Sequence, residues 1–296
     1  MNMFRLCPIA CFLSLCAMIT ACSSDDESEQ NNSGNKRLQL TVKDVPVTRA
    51  ILTDKETTLW ATWKAGDIAT CLNLSKLALE DIIYSNLTAS SAGETSAFTG
   101  TVQECSQGDV LALIYPKVTP ATGTGNFTID LRGQKGTLTD LAERYHYVYG
   151  TARVTNVTES TAEATISDMR SLLAVCKFTF TDGSGSPIHN VKALSIGYGE
   201  YGAAGYPQYA TVEPSTDASS TVKLTPAELS GTLLDIILDN EDNSGVVYVA
   251  LLPQDNPIDF YFSVTSRSGT YIGTANAKLK AGKFYPVTLK LKIPGN

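Results

Sequence analysis

"VVYVALLPQDNPIDFYFSVTSRSG", residues 246–269, holds two kinds of β-strand and the turns that end them. The run from Val246 to Leu252 is continuously apolar and stops at Pro253. Such a run reads as a central strand buried on both faces, ended where proline withholds its N–H from the ladder. After the next turn, Phe260, Phe262 and Val264 alternate with polar residues, which is the period of a strand with one buried face. "SRSG" then closes it as a turn. Both patterns recur along the chain. Leu38, Leu40 and Val42 alternate in "RLQLTVKD", as do Phe127, Ile129 and Leu131, then Tyr145, Tyr147 and Tyr149. Phe178 and Phe180 follow, and Val287, Leu289, Leu291 and Ile293 close the series. "VLALIYP", 110–116, is a second continuous run. Helix is scarce: "TLTDLAERYH" opens with Thr137 and Asp140 at capping-box spacing, and "LSKLALEDIIYS" fits a helix or a strand.

Many short strands with regular turns predict an all-β protein of sandwich architecture. The chain of 296 residues exceeds one seven-stranded sandwich, so two in tandem are expected. The polar stretch "TNVTESTAEA" divides them, giving domains at 37–163 and 164–296.

The N-terminus reads differently. Arg5 precedes a mostly apolar stretch, 6–19, too short to span a bilayer core, which needs about 20 residues. A basic start, a short apolar core and small residues before a cut describe a secretory signal peptide, here 1–21. Ile19-Thr20-Ala21-Cys22 looks like the lipobox of bacterial lipoproteins, with Cys22 the acylated residue and the outer membrane its partner through the lipid. The following stretch, 22–36, carries no aliphatic or aromatic residue beyond Cys22 and reads as a disordered acidic tether. Its acidic start resembles the export signal of surface-exposed outer-membrane lipoproteins.

Composition excludes several functions. The signal peptide holds one base and no acid, so its removal takes the net charge from −7 to −8. An acidic chain without a basic cluster argues against nucleic acid as a partner. Beyond Cys22 the cysteines are Cys71, Cys105 and Cys176, an odd number without CxxC, which argues against a disulfide framework or a thiolate metal site. The two histidines, His146 and His189, have no metal-ligand spacing, and neither a G-x-S-x-G elbow nor a nucleotide fingerprint occurs. The chain is read as non-enzymatic, with no cofactor. "DNEDNSG", 239–245, offers oxygens from Asp239 and Asp242 to a hard cation, but an EF-hand register fails at Leu251 and the composition suits a tight turn. "GYGEYGAAGYPQYATVEP" sets Tyr198, Tyr201, Tyr206 and Tyr209 on a Gly- and Pro-punctuated segment. It is either a ligand loop for glycan or host protein, or a loop packed back on the sandwich.

The lipobox, the acidic tether, a first strand, Thr48-Arg49-Ala50 and "WKAGDIATCLNL" together resemble the fimbrillin family of pilus subunits. "SAFTGTVQECSQGDVLALIYP" is similar to its F-x-G strand and Tyr-Pro run, "RSLLAVCKFTF" to the start of its second domain, and 246–293 to its closing strands. The resemblance implies two transthyretin-like β-sandwich domains and a surface-exported lipoprotein of fimbriae, its partners being other fimbrial subunits. It further implies that a protease cuts at Arg49-Ala50, removes the strand carrying Leu38, Leu40 and Val42, and opens a groove for a neighbour's strand. Read from its own surroundings, Arg49 is equally a solvated linker residue. Only Pro294, Gly295 and Asn296 follow the last strand, so the expected place is tip, anchor or minor subunit rather than stalk. The alternative is a monomeric surface lipoprotein that binds glycan or host protein.

Overall fold

The computed structural model describes residues 36–42, 51–77, 84–166, 169–215, 221–240 and 242–295. Strand dominates, and the protein is all-β. The first half contributes β1 (Lys36–Val42), β2 (Ile51–Asp54), β3 (Leu59–Thr62), β4 (Ile68–Asn73), β5 (Tyr84–Ala89), β6 (Ser96–Val102), β7 (Val110–Tyr115), β8 (Phe127–Asp130), β9 (Val148–Val157), β10 (Thr161–Ile166) and β11 (Met169–Ser171). The second contributes β12 (Ala174–Thr181), β13 (Val191–Tyr198), β14 (Tyr209–Pro214), β15 (Val222–Pro226), β16 (Leu234–Ile237), β17 (Val247–Leu251), β18 (Ile258–Ser266), β19 (Gly269–Ala277) and β20 (Phe284–Lys290).

One large sheet runs β10-β1-β6-β5-β4-β7-β9-β11, and β10 also pairs with β9. That pairing closes seven strands into a ring and leaves β11 outside it on β9. Closure removes the edges that an open sheet would expose. Trp63, Leu87, Phe98, Leu111 and Leu113 fill the ring, with the Trp63 indole edge-on to Phe98 at 4.8 Å and to Tyr115 at 5.5 Å. Strand β7 explains why "VLALIYP" shows no alternation. Leu111, Leu113 and Tyr115 face this core, while Val110, Ala112 and Ile114 face a second one. The large sheet includes β10 and β11, so the change to the next sheet comes at Leu172-Leu173.

The second core is shared by the β2–β3 hairpin, β8 and the strands of the second half. There β16-β13-β18-β19 faces β17-β12-β20, with the Phe178 and Phe262 rings 5.4 Å apart. Strand β18 alternates as its sequence requires: Phe260, Phe262 and Val264 are buried, Asp259 and Thr265 exposed. A third sheet, β15-β14-β8, joins strands from both halves.

Two expectations are corrected. Strand β17 is not central in its sheet; it lies at the edge. It is buried because the segment 134–136 covers that edge: Gln134 Oε1 accepts from the Ala250 N–H at 2.8 Å, Gln134 Nε2 donates to the Ala250 carbonyl at 3.1 Å, and the Tyr248 N–H donates to the Gly136 carbonyl at 2.9 Å. Gly136 permits this approach, since a Cβ there would lie 2.8 Å from Val247 Cγ1. The second correction concerns "YHYVYG". Thr137 caps a short helix, Leu138–Asp140, that widens into a π-turn over Leu141–Tyr145, so β9 starts only at Val148. The capping hydrogen bond, from the Asp140 N–H to Thr137 Oγ1 at 3.2 Å, favours local helix over the alternating tyrosines.

Candidate functional site: the seat of the first strand

Strand β1 is a stave of the closed ring. It pairs antiparallel with β6 from Lys36↔Val102 to Val42↔Ser96 and parallel with β10 from Arg37↔Thr161 to Val42↔Ile166. Leu38, Leu40 and Val42 fall in register rows with Gly100 and Ala162, Phe98 and Ala164, and Ser96 and Ile166. Of those neighbours Phe98, Ala162, Ala164, Ile166 and Ser96 are buried. The intervening row holds exposed Gln39 with exposed Glu163, so the buried positions of β6 and β10 lie in alternate rows of the seat. Gly100 sits where β5 crosses close: a Cβ on it would lie 2.6 Å from the Asn86 carbonyl oxygen and 2.7 Å from Leu87 Cδ2. The "F-T-G" of β6 thus places a large ring, Phe98, and a close approach of β5, at Gly100, on the same side of the strand.

Arg49, Ala50 and Cys22 lie outside the described residues, as do the signal peptide and the tether up to residue 35; Lys36 opens β1. The chain re-enters at Ile51 in β2, which is pinned to the second half. Asp54 accepts from Lys177 Nζ at 2.6 Å and from the Tyr248 hydroxyl at 2.7 Å. Burial alone would push the Asp54 carboxyl up, but the Lys177 and Tyr248 hydrogen bonds outweigh it and hold the group below the usual carboxylate range. Sequence reasoning missed this anchor and the Gln134 plug. The one available signal was "RGQKG", where glycines at 133 and 136 bracket Gln134 with positive φ.

The tyrosine segment forms no four-ring platform. Tyr206 and Tyr198 are core residues with rings 4.9 Å apart; the Tyr206 hydroxyl accepts from the Leu252 N–H at 2.8 Å. Tyr209 is half-buried under the Arg132 guanidinium, 4.3 Å from its ring centroid. Only Tyr201 stands out, 70% exposed at φ +52°. The reason is strand period: Tyr198 ends β13 on its inward side, and Gly202 and Gly205 let the loop fold back closely.

The "DNEDNSG" stretch is a turn built on Asn243, whose side chain bonds the backbone of Val191, Asn240 and Gly245. Asp239 pairs with Lys135 and Asp242 with Arg267, so both candidate ligands already have cations. His189 Nδ1 lies 2.9 Å from the Ser244 carbonyl oxygen, whereas His146 is buried at the end of the π-turn. Burial pushes the Cys176 thiol up to about 12 and Cys71 higher still, which disfavours the reactive thiolate at both.

No family model matches the chain, and no curated protein matches it in sequence. Its fold is shared with solved structures. A candidate cell adhesion protein from Bacteroides ovatus superposes with a TM-score of 0.56 at 16% identity, over 87% of this chain and 92% of that one. A second candidate cell adhesion protein, from Bacteroides uniformis, superposes with a TM-score of 0.53 at 16% identity, over 88% and 93%. The agreement runs through both halves of the molecule.

Proposed function

We propose that this protein is a structural and adhesive subunit of surface fimbriae, exported as a lipoprotein acylated on Cys22. In this reading, cleavage at Arg49-Ala50 releases β1 and a strand from a neighbouring subunit takes its seat between β6 and β10. The carrying observation is that β1 is bonded on both sides within a ring that is otherwise continuous, so its removal leaves one strand-shaped slot. Main-chain groups of β6 and β10 would supply affinity there, and the buried neighbours Phe98, Ala162, Ala164 and Ile166 the specificity. The Asp54 anchor supports the same reading, because it holds β2 in place directly after the proposed cut. Strand β20 is engaged along its length by β12, which favours a strand-accepting role at the tip, at the anchor or as a minor subunit. The folds of the two Bacteroides proteins accord with a place at the cell surface.

The test is limited digestion with an arginine-specific protease, followed by separation of the N-terminal piece under mild denaturant. The stripped protein should bind a synthetic peptide of residues 37–45 and assemble with itself or with partner subunits. A protein that stays monomeric and ignores the peptide after complete Arg49-Ala50 cleavage and strand removal would sink strand exchange. The alternative, a monomeric surface lipoprotein with a glycan or protein ligand, would then stand.

A further inference from the structure

A cleft of about 610 Å³ opens beside the ring, between the turn that enters β4, the exit of β7 and the helical turn after Thr137. Its volume lies within the ~300–1,000 Å³ of small-ligand sites. The floor is built from firmly held groups. The Asp67 backbone donates to Lys64 and accepts from Ala89, and its Oδ2 accepts from the Lys64 N–H at 2.7 Å. Among the described residues, Asp67 Oδ1 accepts no hydrogen bond. The buried Tyr115 ring forms another wall, its hydroxyl 3.5 Å from the Ala142 carbonyl oxygen. Burial, and then the charge of Glu143, push the Asp67 carboxyl up against the opposing pull of Lys64.

The balance of charge selects the ligand. Two lysines, Lys64 and Lys117, and two acids, Asp67 and Glu143, line the cleft. An anion would meet the acids and a cation the lysines. A hydroxyl can donate to a carboxylate and accept from an ammonium at the same time. Apolar surface is also present: Ile68, 46% exposed, lines the cleft. It suits the C–H face of a sugar ring. A second hollow of about 290 Å³ adjoins it, with Pro116, Lys117 and Glu143 lining both; its Arg144 is already paired with Asp140 at 3.3 Å, so it adds no free cation to the balance. There Arg132 holds Asp130 through two hydrogen bonds of 3.1 and 3.0 Å. That pair presents a donor and an acceptor side by side in fixed geometry, with room for a second ring.

We propose that this two-lobed cleft binds a neutral saccharide, one ring in the Asp67–Tyr115 lobe and the next in the Asp130–Arg132 lobe. The inference rests on the adhesive part of the reading above and is independent of strand exchange. It also moves the ligand away from the tyrosine loop.

Saturation-transfer NMR on the uncut full chain provides the test. The probes are glucose, galactose, mannose and N-acetylglucosamine with their disaccharides, and glucosamine and glucuronic acid as charged comparators. At least one neutral sugar should give a saturable signal, its disaccharide should bind more tightly, and the charged comparators should bind at least tenfold more weakly. Lys117→Ala and Glu143→Gln change exposed side chains and leave the fold intact; each should weaken binding about tenfold, the loss of one charge-assisted hydrogen bond. Tyr201→Ala, outside the cleft, should leave binding unchanged. Absence of any saturable neutral-sugar signal, preference for a charged sugar, or indifference to both cleft variants would overturn the proposal. Because the measurement uses uncut protein, none of those outcomes bears on strand exchange.

Discussion

The first and last strands, β1 and β20, are both paired in parallel, β1 with β10 and β20 with β12, yet they are held in different ways. Strand β1 lies between two neighbours inside a closed ring, whereas β20 lies at the edge of a three-stranded sheet. Beyond its pairing with β12, the β20 end gains one bridge, Ile272↔Lys292. Within β20 only Leu289 is buried; the rest of the strand is half-buried or exposed. Removing β20 would bare one edge. Removing β1 bares two facing edges and a buried row that includes Phe98 and Ile166. A strand that leaves two edges behind creates a seat for another strand, while one that leaves a single edge merely shortens a sheet.

The largest effect should follow deletion of residues 36–42. The loss should be comparable with the ~5–15 kcal/mol that holds a typical domain together. Adding the peptide 37–45 in trans should restore a cooperative urea transition, whereas a peptide of residues 284–290 should not. Equal rescue by both peptides would break the distinction between the two strands. Next comes Gly100→Val. Its Cβ must displace the Asn86 carbonyl or Leu87 behind β1, an overpacking cost of about 1–3 kcal/mol. Hydrogen exchange should then quicken in β1 and β6 before it does in β12 or β20. A uniform rise over the whole chain would show that β1 is no more separable than β20.

Gln134→Ala probes the other half. The Ala250 N–H and carbonyl would each lose their Gln134 partner at a buried edge, at about 1–3 kcal/mol. The midpoint of urea unfolding should fall while exchange in β1 stays slow. If β1 loosened instead, the two halves would be coupled more tightly than the separate seats imply.

The two kinds of strand were legible in the sequence for different reasons. Alternation exposed β18 because it buries one face, and the continuous run exposed β7 because it divides two cores. The same signature in "VVYVALLP" pointed to a central strand, while the chain built an edge strand covered by Gln134 and Gly136. Hydrophobicity reports burial and is blind to whether a strand or a loop does the covering. The candidate seat was visible as Leu38, Leu40 and Val42, yet ring closure was not, because the β9–β10 pairing leaves no periodic trace. The tyrosine segment stayed open between two readings for a related reason: composition cannot tell Tyr206, sealed in the core, from Tyr201 five residues earlier and open to solvent. The saccharide cleft could not be read at all, since Asp67, Lys117 and Glu143 are brought together only by the fold.

The smallest effect concerns Asp54, which decides whether a cut before β2 frees one side of the chain or both. Its carboxyl is held below its unfolded value by Lys177 and Tyr248. A depressed carboxylate stabilises above its unfolded pKa, and that contribution is lost as pH falls through the lower folded value. Asp54→Asn cannot titrate. It should therefore cost about 1 kcal/mol near neutrality, and this difference from the natural chain should vanish at acid pH. Urea unfolding followed from pH 7 down through the acid range reads both states. In the cleaved protein the same substitution should let β2 exchange faster, while with Asp54 intact β2 should stay protected after β1 has gone. Were β2 to loosen on cleavage despite Asp54, the opening would extend past the β1 slot into the shared core, and a seat defined by β6 and β10 alone would be too narrow a description.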